Sequence, residues 1–485
     1  MSFTLFMLWY ATAIALILRL LLTGRRPKNY PPGPPTLPII GNLHQMPTRN
    51  AHLQFERWAR QYGPGYGARW RTARKLVHGL LNVTASKSYV PYQVLENKQM
   101  LYELLTRPDD FVKHIRRYTN ALTTTMVFGW RTPTYEDEKM KQLFEGFSDF
   151  ADLNQTGAAG LVDFFPWLRR LPDAVLPVQR KAKQLHKAEK ELYLNHWLKA
   201  KEATLKGTIK PCFCVDLVEA QKKESFDDAA ACYISGTLLE AGSDTTSSTL
   251  IGFVQAMLLF PDAQRKAHEE LDRVIGSDRM PTMEDQESLP YIHSCIKESM
   301  RWMPTTILGA VPHATTQDDY YEGFLIPKDA GVMNNVWSIN MDPKRHPEPR
   351  KFIPDRYIND HLSLADSAAN PDPSKRDQFT FGAGRRVCPG MHVAERSLFL
   401  GVARMLWAFK FEPQLDGNGC PILPDPDQLT QGFVCQPAIF PVSIEPRSEQ
   451  RARIVTREWQ DAGSTCLDPV TKQWQNLPSE TKGNA

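Results

Sequence analysis

Between Ser225 and Pro261 the chain reads SFDDAAACYISGTLLEAGSDTTSSTLIGFVQAMLLF without a proline, and any domain that holds it must be built around one long helix. Ser225-Phe226-Asp227-Asp228 supplies an N-cap and acids for the first turn, and Pro261 ends the run. At 1.5 Å per residue, about 35 residues reach roughly 50 Å, enough to cross a whole domain. A mainly α fold is expected. Further helices are predicted around 262–275, 289–302 and 389–408, with a minor β component from the runs at 320–327 and 433–444. No internal repeat is visible.

With 58 basic against 54 acidic residues the formal net charge is +4, too even to suggest nucleic acid as a partner. The eight cysteines (212, 214, 232, 295, 388, 420, 435 and 466) lack framework spacing, which points to reduced thiols. Cys212 and Cys214 resemble half of a zinc site, but no matching second pair follows, so they read as ordinary thiols.

The N-terminus departs from a soluble pattern. Phe3 to Leu22 carries one charge, Arg19, and as a helix spans about 30 Å, the thickness of a bilayer core. A cleaved signal peptide wants positive charge before the apolar run. Here Arg25, Arg26 and Lys28 follow it instead, which favours an uncleaved anchor over residues 1–24 with the body of the protein in the cytosol. The sequons Asn82-Val83-Thr84 and Asn154-Gln155-Thr156 would then stay unmodified. Residues 25–42 are basic and proline-rich. PPGPPTLP (31–38) suits a stiff extended linker. Beyond Arg447 the polar extension, 448–485, is expected to be weakly ordered.

Within the long helix, Ala241-Gly242-Ser243-Asp244-Thr245-Thr246 places poor helix formers where propensity should be high. Gly242 leaves room for something bulky and flat, hydroxyls can bond back to i−4 carbonyls, and Asp244 beside Thr245 offers an acid and an alcohol that together could pass protons. A polar stripe on an exposed helix face is the competing reading, and the segment alone does not decide. Glu298 and Arg301 stand at i, i+3 and can pair. The pair matters if Arg356, in Phe352-Ile353-Pro354-Asp355-Arg356, joins it in a buried cluster.

FGAGRRVCPG (381–390) fits neither a dinucleotide loop nor a phosphate loop: its glycines are misplaced for the first, and no G-K-[ST] follows for the second. Metal ligation suits Cys388 better than nucleophilic chemistry. Pro389 is a natural first helical residue, which would put the sulfur at a helix N-terminus where a thiolate is favoured. Gly384 and Gly390 would let backbone N–H groups approach the sulfur.

Phe381-x-x-Gly384-x-Arg386-x-Cys388-x-Gly390 resembles the haem-binding signature of the cytochrome P450 family, the haem-thiolate monooxygenases. AGSDTT (241–246), Glu298-x-x-Arg301 and the FIPDR segment match further family motifs in the same order. The anchor and PPGPP resemble the microsomal eukaryotic branch, and residues 81–200 resemble filamentous-fungal enzymes of specialised metabolism. The resemblance spans 1–64 and 65–447. It implies a mainly α fold with minor β sheets, an N-terminal transmembrane helix and a haem-thiolate catalytic domain over 43–447.

By the same resemblance Cys388 is the axial iron ligand, and Phe381, Gly384 and Gly390 shape the haem-binding loop. Arg386, His313 and the W-x-x-x-R pair Trp70 and Arg74 reach the haem propionates. Asp244 and Thr245 deliver protons during oxygen activation, and Glu298, Arg301 and Arg356 form a structural triad. The implied cofactor is haem b (iron protoporphyrin IX). Electrons are expected from NADPH through an external NADPH-cytochrome reductase, with cytochrome b5 as a second donor, because no flavin or nicotinamide motif lies in the chain. The substrate is expected to be an apolar small molecule, and the location the endoplasmic reticulum membrane, single-pass, with the catalytic domain cytosolic.

One departure stands out. In the family QYGP (61–64) leads into about fifty residues that roof the haem pocket before the W-x-x-x-R helix, far more than an ordinary loop. Here Pro64 is followed at once by GYGARWRTARK, an apparent internal deletion at 64/65. A haem-binding relic, or a splice or gene-model variant, without turnover is the alternative to a working monooxygenase.

Overall fold

Prolines open several of the helices, each where a missing N–H costs nothing. The computed structural model describes residues 71–154, 170–224 and 226–475, except positions 311, 316, 329 and 433. The expected anchor and linker, the 64/65 junction, Trp70 and Ser225 lie outside the described residues. No helix among the described residues is long and apolar enough to cross a membrane.

α1 (Arg71–Leu81) and α2 (Val83–Lys87) are joined by Asn82, whose side chain caps α2 by accepting from Thr84 N and Ala85 N at 3.0 and 2.9 Å. α3 (Val90–Thr106) has Pro91 in its first turn, and α4 (Phe111–Phe128) ends on left-handed Gly129. α5 (Glu138–Asn154), α6 (Pro177–Leu205) and α7 (Phe213–Glu224) follow.

The long run forms α8 (Asp228–Leu259), 32 residues. Its N-cap is Asp227, which accepts from Ala230 N at 2.8 Å, not Ser225; two cap-competent residues stand close together, and the second serves. Pro261 then starts α9 (Pro261–Val274). α10 (Pro290–Trp302), α11 (Val336–Asn340), α12 (Leu364–Ala369), α13 (Met391–Ala408) and α14 (Glu449–Cys466) complete the order of α-helices among the described residues.

Among the described residues the β component is three antiparallel pairs: β1 (His313–Ala314) with β4 (Gly331–Val332), β2 (Asp319–Tyr321) with β3 (Phe324–Ile326), and β5 (Phe409–Glu412) with β6 (Ser443–Pro446). The 320–327 run is β as expected, broken by a two-residue turn between β2 and β3 at Glu322 and Gly323, both at positive φ. The run at 433–444 is mostly irregular instead. Pro437 and Pro441 remove ladder donors; apart from one isolated bridge, Pro437 with Leu429, pairing begins at Ser443.

Two apolar cores flank α8. Its C-terminal half, Leu250 to Leu258, is buried against α9, α10 and α13; its N-terminal half, with Ala231, Cys232 and Leu239, belongs to a second core with α1, α6 and α7. The helix therefore ties both together.

Over residues 448–475 the extension is ordered, contrary to expectation. Ser448 caps α14 by accepting from Arg451 N at 3.2 Å, Ile454 and Val455 enter the first core, and Trp474 enters the second, where it meets Tyr92 edge-on at 4.6 Å. A few apolar residues at helical spacing lie beneath the charged composition.

Candidate active site

The loop before α13 holds Cys388. Gly382 and Gly384 have φ of 77° and 61°, a backbone that side-chain-bearing residues adopt only under strain. The resulting fold lets Cys388 N donate to Phe381 O at 2.8 Å and Val387 N to Gly384 O at 3.2 Å, while Phe381 is buried in the first core. Gly390 is the N-cap of α13, so Pro389 lies in the preceding turn and not at the first helical position.

The N–H groups of Gly390 and Met391 point at the sulfur. A Cβ on Gly390 would stand 3.8 Å from Cys388 Sγ and 4.0 Å from Leu81 Cδ1. Burial pushes the Cys388 thiol above its ordinary value, and those N–H groups and the Arg74 guanidinium oppose the shift without reversing it. The N–H groups at the helix terminus thus act in the expected direction, favouring the thiolate, but they do not decide its charge by themselves. Desolvation outweighs the local dipoles, and a metal cation on the sulfur is what would hold it ionised.

Arg74 on α1 acts on this sulfur, and Arg386 in the loop lies against Arg74. Burial lowers the pKa of Arg74, with Cys388 raising it and Arg386 lowering it again. His313, at the start of β1, is held below the ordinary imidazole value by burial and by Arg386. The fold therefore lines up Arg74, Arg386 and His313 in a row that starts at the cysteine of this loop: Arg74 faces Cys388, Arg386 faces Arg74, and His313 faces Arg386. A thiol at one end of a row of basic side chains fits an iron centre whose macrocycle carries carboxylates.

Behind the loop Glu298 and Arg301 of α10 are fully buried. Arg301 Nε and Nη2 donate to Glu298 Oε2 and Oε1, each at 2.7 Å, a bidentate pair. Glu298 Oε1 also accepts from Ile353 N at 2.7 Å and Arg356 Nε at 3.3 Å. Arg301 Nη1 donates to Asn340 O and Pro349 O at 3.1 and 2.8 Å, and Arg356 Nη2 to Glu348 O at 3.0 Å. Glu298, Arg301 and Arg356 thus staple α10 to the irregular segment after α11. Thr380 Oγ1, donating to Met300 O at 2.7 Å, ties the start of the cysteine loop to the same helix.

In the Ala241–Thr246 stretch, Gly242 does not leave room for a flat ligand. A Cβ there would stand 2.6 Å from Thr123 Oγ1, so the glycine admits α4. Thr119 Oγ1 donates to Ser243 O at 2.6 Å and Asn120 Nδ2 to Ser243 Oγ at 3.1 Å, fixing the same contact. Thr245 Oγ1 donates back to Ala241 O at 2.7 Å, leaving its lone pairs free to accept. Burial carries the Asp244 carboxyl up to about 6, against the opposing pull of Arg116 and Ser248. Sequence reading missed Arg116, and it missed Glu240, one turn before Asp244, though its i−4 spacing was visible.

All eight cysteines are free, and among the described residues no group of three or more His, Cys, Asp and Glu could hold a metal ion. Cys212 and Cys214 are plain thiols raised by burial.

A family model described as cytochrome P450 matches residues 65–440. The chain belongs to the cytochrome P450 family. This P450 is 46% identical over 525 positions to the cytochrome P450 monooxygenase virE of Hypocrea virens, covering 97% of this chain and 95% of that protein. It is 45% identical over 519 positions to fogE of Aspergillus ruber, covering 96% and 95%. A solved zebra fish cytochrome P450 with progesterone shares 25% identity and a TM-score of 0.62, over 79% of this chain and 83% of that one. The chain is a mainly helical P450 monooxygenase of fungal type, and the family implies haem, electrons from a redox partner and a small-molecule substrate. The 525 aligned positions exceed the 485 residues here, so the Hypocrea virens protein carries residues that this P450 lacks. The family match begins at the residue after Pro64.

Proposed function

We propose that this P450 is a membrane-anchored monooxygenase that inserts one oxygen atom from O2 into an apolar small molecule of fungal secondary metabolism. Its electrons come from NADPH through a separate NADPH-cytochrome reductase, with cytochrome b5 as a second donor. It sits in the endoplasmic reticulum membrane by the apolar run at residues 3–22, with its catalytic domain cytosolic. The observation that carries the catalytic reading is Cys388 facing Arg74, which leads on to Arg386 and His313.

Bound through Cys388, haem would supply the oxygen activation, the thiolate favouring O–O cleavage. The chain's own residues do the rest. Gly390 and Met391 N–H groups orient and tune the sulfur. Arg74, Arg386 and His313 bind carboxylates of the cofactor. Asp244 holds a proton at its carboxyl, and Thr245 accepts and passes it at Oγ1. Glu298, Arg301 and Arg356 keep the segment behind the loop in place.

The test is the reduced carbon monoxide difference spectrum of the full chain. The red-shifted thiolate band is expected, and Cys388→Ala should abolish it. Absence of the band from the unaltered chain, or its persistence in the variant, would refute the assignment. A band without any product under NADPH and reductase would mean that haem binds without turnover, the outcome expected if the segment missing at 64/65 is required.

A further inference from the structure

Glu240 and Asp244 stand at i and i+4 on α8, so their carboxyls share one face. Tyr193 of α6 donates its hydroxyl to Glu240 Oε1. That ring lies against the α8 backbone because position 236 is glycine: a Cβ there would stand 2.4 Å from Tyr193 Cγ. One turn earlier on α6 is Glu189. A cavity of about 20 Å³ is lined by Glu189, Tyr193 and Glu240, with Gln142 and Gly146 of α5 across it. Its lining is mostly apolar, with those carboxyl and hydroxyl groups as its polar points, and its volume is that of about one water. Lys187 and Lys190, flanking Glu189, are exposed, so the outer end of this row meets solvent.

We propose that Glu240, oriented by Tyr193 and wetted through the Glu189 cavity, is a positioning residue that returns protons to Asp244. This rests on the reading that Asp244 passes protons in the P450 reaction. Each transfer moves one proton and no electron: Asp244 gives its proton inward, Glu240 replaces it directly or through one water, and solvent reprotonates Glu240 by way of Glu189. Monooxygenation takes up two protons and two electrons per O2, the electrons from the redox partner, so the relay must refill within each turnover.

The groups facing the pair are Tyr193 and Glu189 from α6, Tyr233 from α8 itself, and Arg116 of α4 and Cys435 on the Asp244 side. Burial and the neighbouring carboxylates bring Glu240 to about 7 against the pull of Tyr193, beside Asp244 at about 6, so a proton passes between them without a large step.

Two measurements on the full chain test this. In infrared pH-difference spectra the unaltered protein should lose a protonated-carboxyl band with a midpoint near 7. Glu240→Gln should lack that band, and Tyr193→Phe, which keeps the ring but removes the donor, should move its midpoint upward. Peroxide released per O2 consumed, driven by NADPH and reductase with no substrate added, should rise at least twofold in Glu240→Gln and lose its pH dependence near 7, while Glu240→Asp retains most of the original behaviour. If Asp244→Asn raises peroxide and Glu240→Gln does not, the relay is overturned and the Asp244 reading stands. If neither variant changes it, both fall. An unchanged infrared band in Glu240→Gln also overturns the relay.

Discussion

Arg131 and Gln473, far apart in the chain, exchange two hydrogen bonds: Arg131 N donates to Gln473 Oε1 and Gln473 Nε2 donates to Arg131 O, each at 2.9 Å. The Arg131 side chain is buried as well, its Nε and Nη2 donating to Glu96 at 2.7 and 2.9 Å, and its Nη1 to Lys472 O at 3.0 Å. The C-terminal extension thus clamps the turn that leads into α5.

Removing residues 448–485 should strip Trp474 from its core and leave Arg131 polar groups unmet. Trp474→Ala alone is expected to cost about 3–5 kcal/mol, and Gln473→Ala about 1–3 kcal/mol. Chemical denaturation of the variants checks both figures. Stability unchanged on deletion would mean that the extension is only appended to the domain.

Glu298→Ala leaves two arginines facing a buried void where a carboxylate accepted at least four hydrogen bonds. Breaking such a pair from one side costs about 3–5 kcal/mol. Loss of soluble, cooperatively unfolding protein is the expected result, with Glu298→Asp only partly restoring it.

Gly242→Ala places a methyl 2.6 Å from Thr123 Oγ1 and 2.9 Å from its Cγ2. Overpacking of this kind costs about 1–3 kcal/mol. Thr123→Ala in the same chain should recover part of that loss, because the two sites share one gap. Additive losses in a double-mutant cycle would show that the glycine serves another contact.

Histidine burial gives a pH dependence with a definite sign. Burial and the nearby Arg301, Arg345 and Arg356 push His346 down to about 3, and burial with Arg447 pushes His268 down to about 4. Both stay neutral in the fold and take up a proton on unfolding below their ordinary value of 6.5. Their contribution is complete above pH 6.5 and is lost as pH falls through 4 and 3. The melting temperature of the unaltered protein should therefore drop over that interval, and His346→Gln should flatten the drop. An equal slope in both proteins would assign the acid sensitivity elsewhere.

Local signals were legible in the sequence and distant ones were not. α8, α9, α10 and α13 fall within three residues of their expected limits, because caps and prolines act over one turn. Cys388 and its glycines could be read for the same reason. The partner of Glu240 lies 47 residues away, and nothing in the spacing names it. Gly242 was legible as a gap, but whether a ligand or Thr123 fills it depends on where α4 lands. The extension misled because Ile454, Val455 and Trp474 are diluted by charged residues whose average hides the face that packs.

Three glycines notch α8. Gly236 receives Tyr193, Gly242 receives Thr123 and Gly252 receives Met303, where a Cβ would stand 2.9 Å from Cγ. Side chains from three separate parts of the chain are thus keyed into one rod at three heights. A rod so keyed can neither slide nor roll by one residue without three collisions at once. Opening of the molecule to admit a guest must then occur around α8, while the rod itself acts as the fixed axle of the motion.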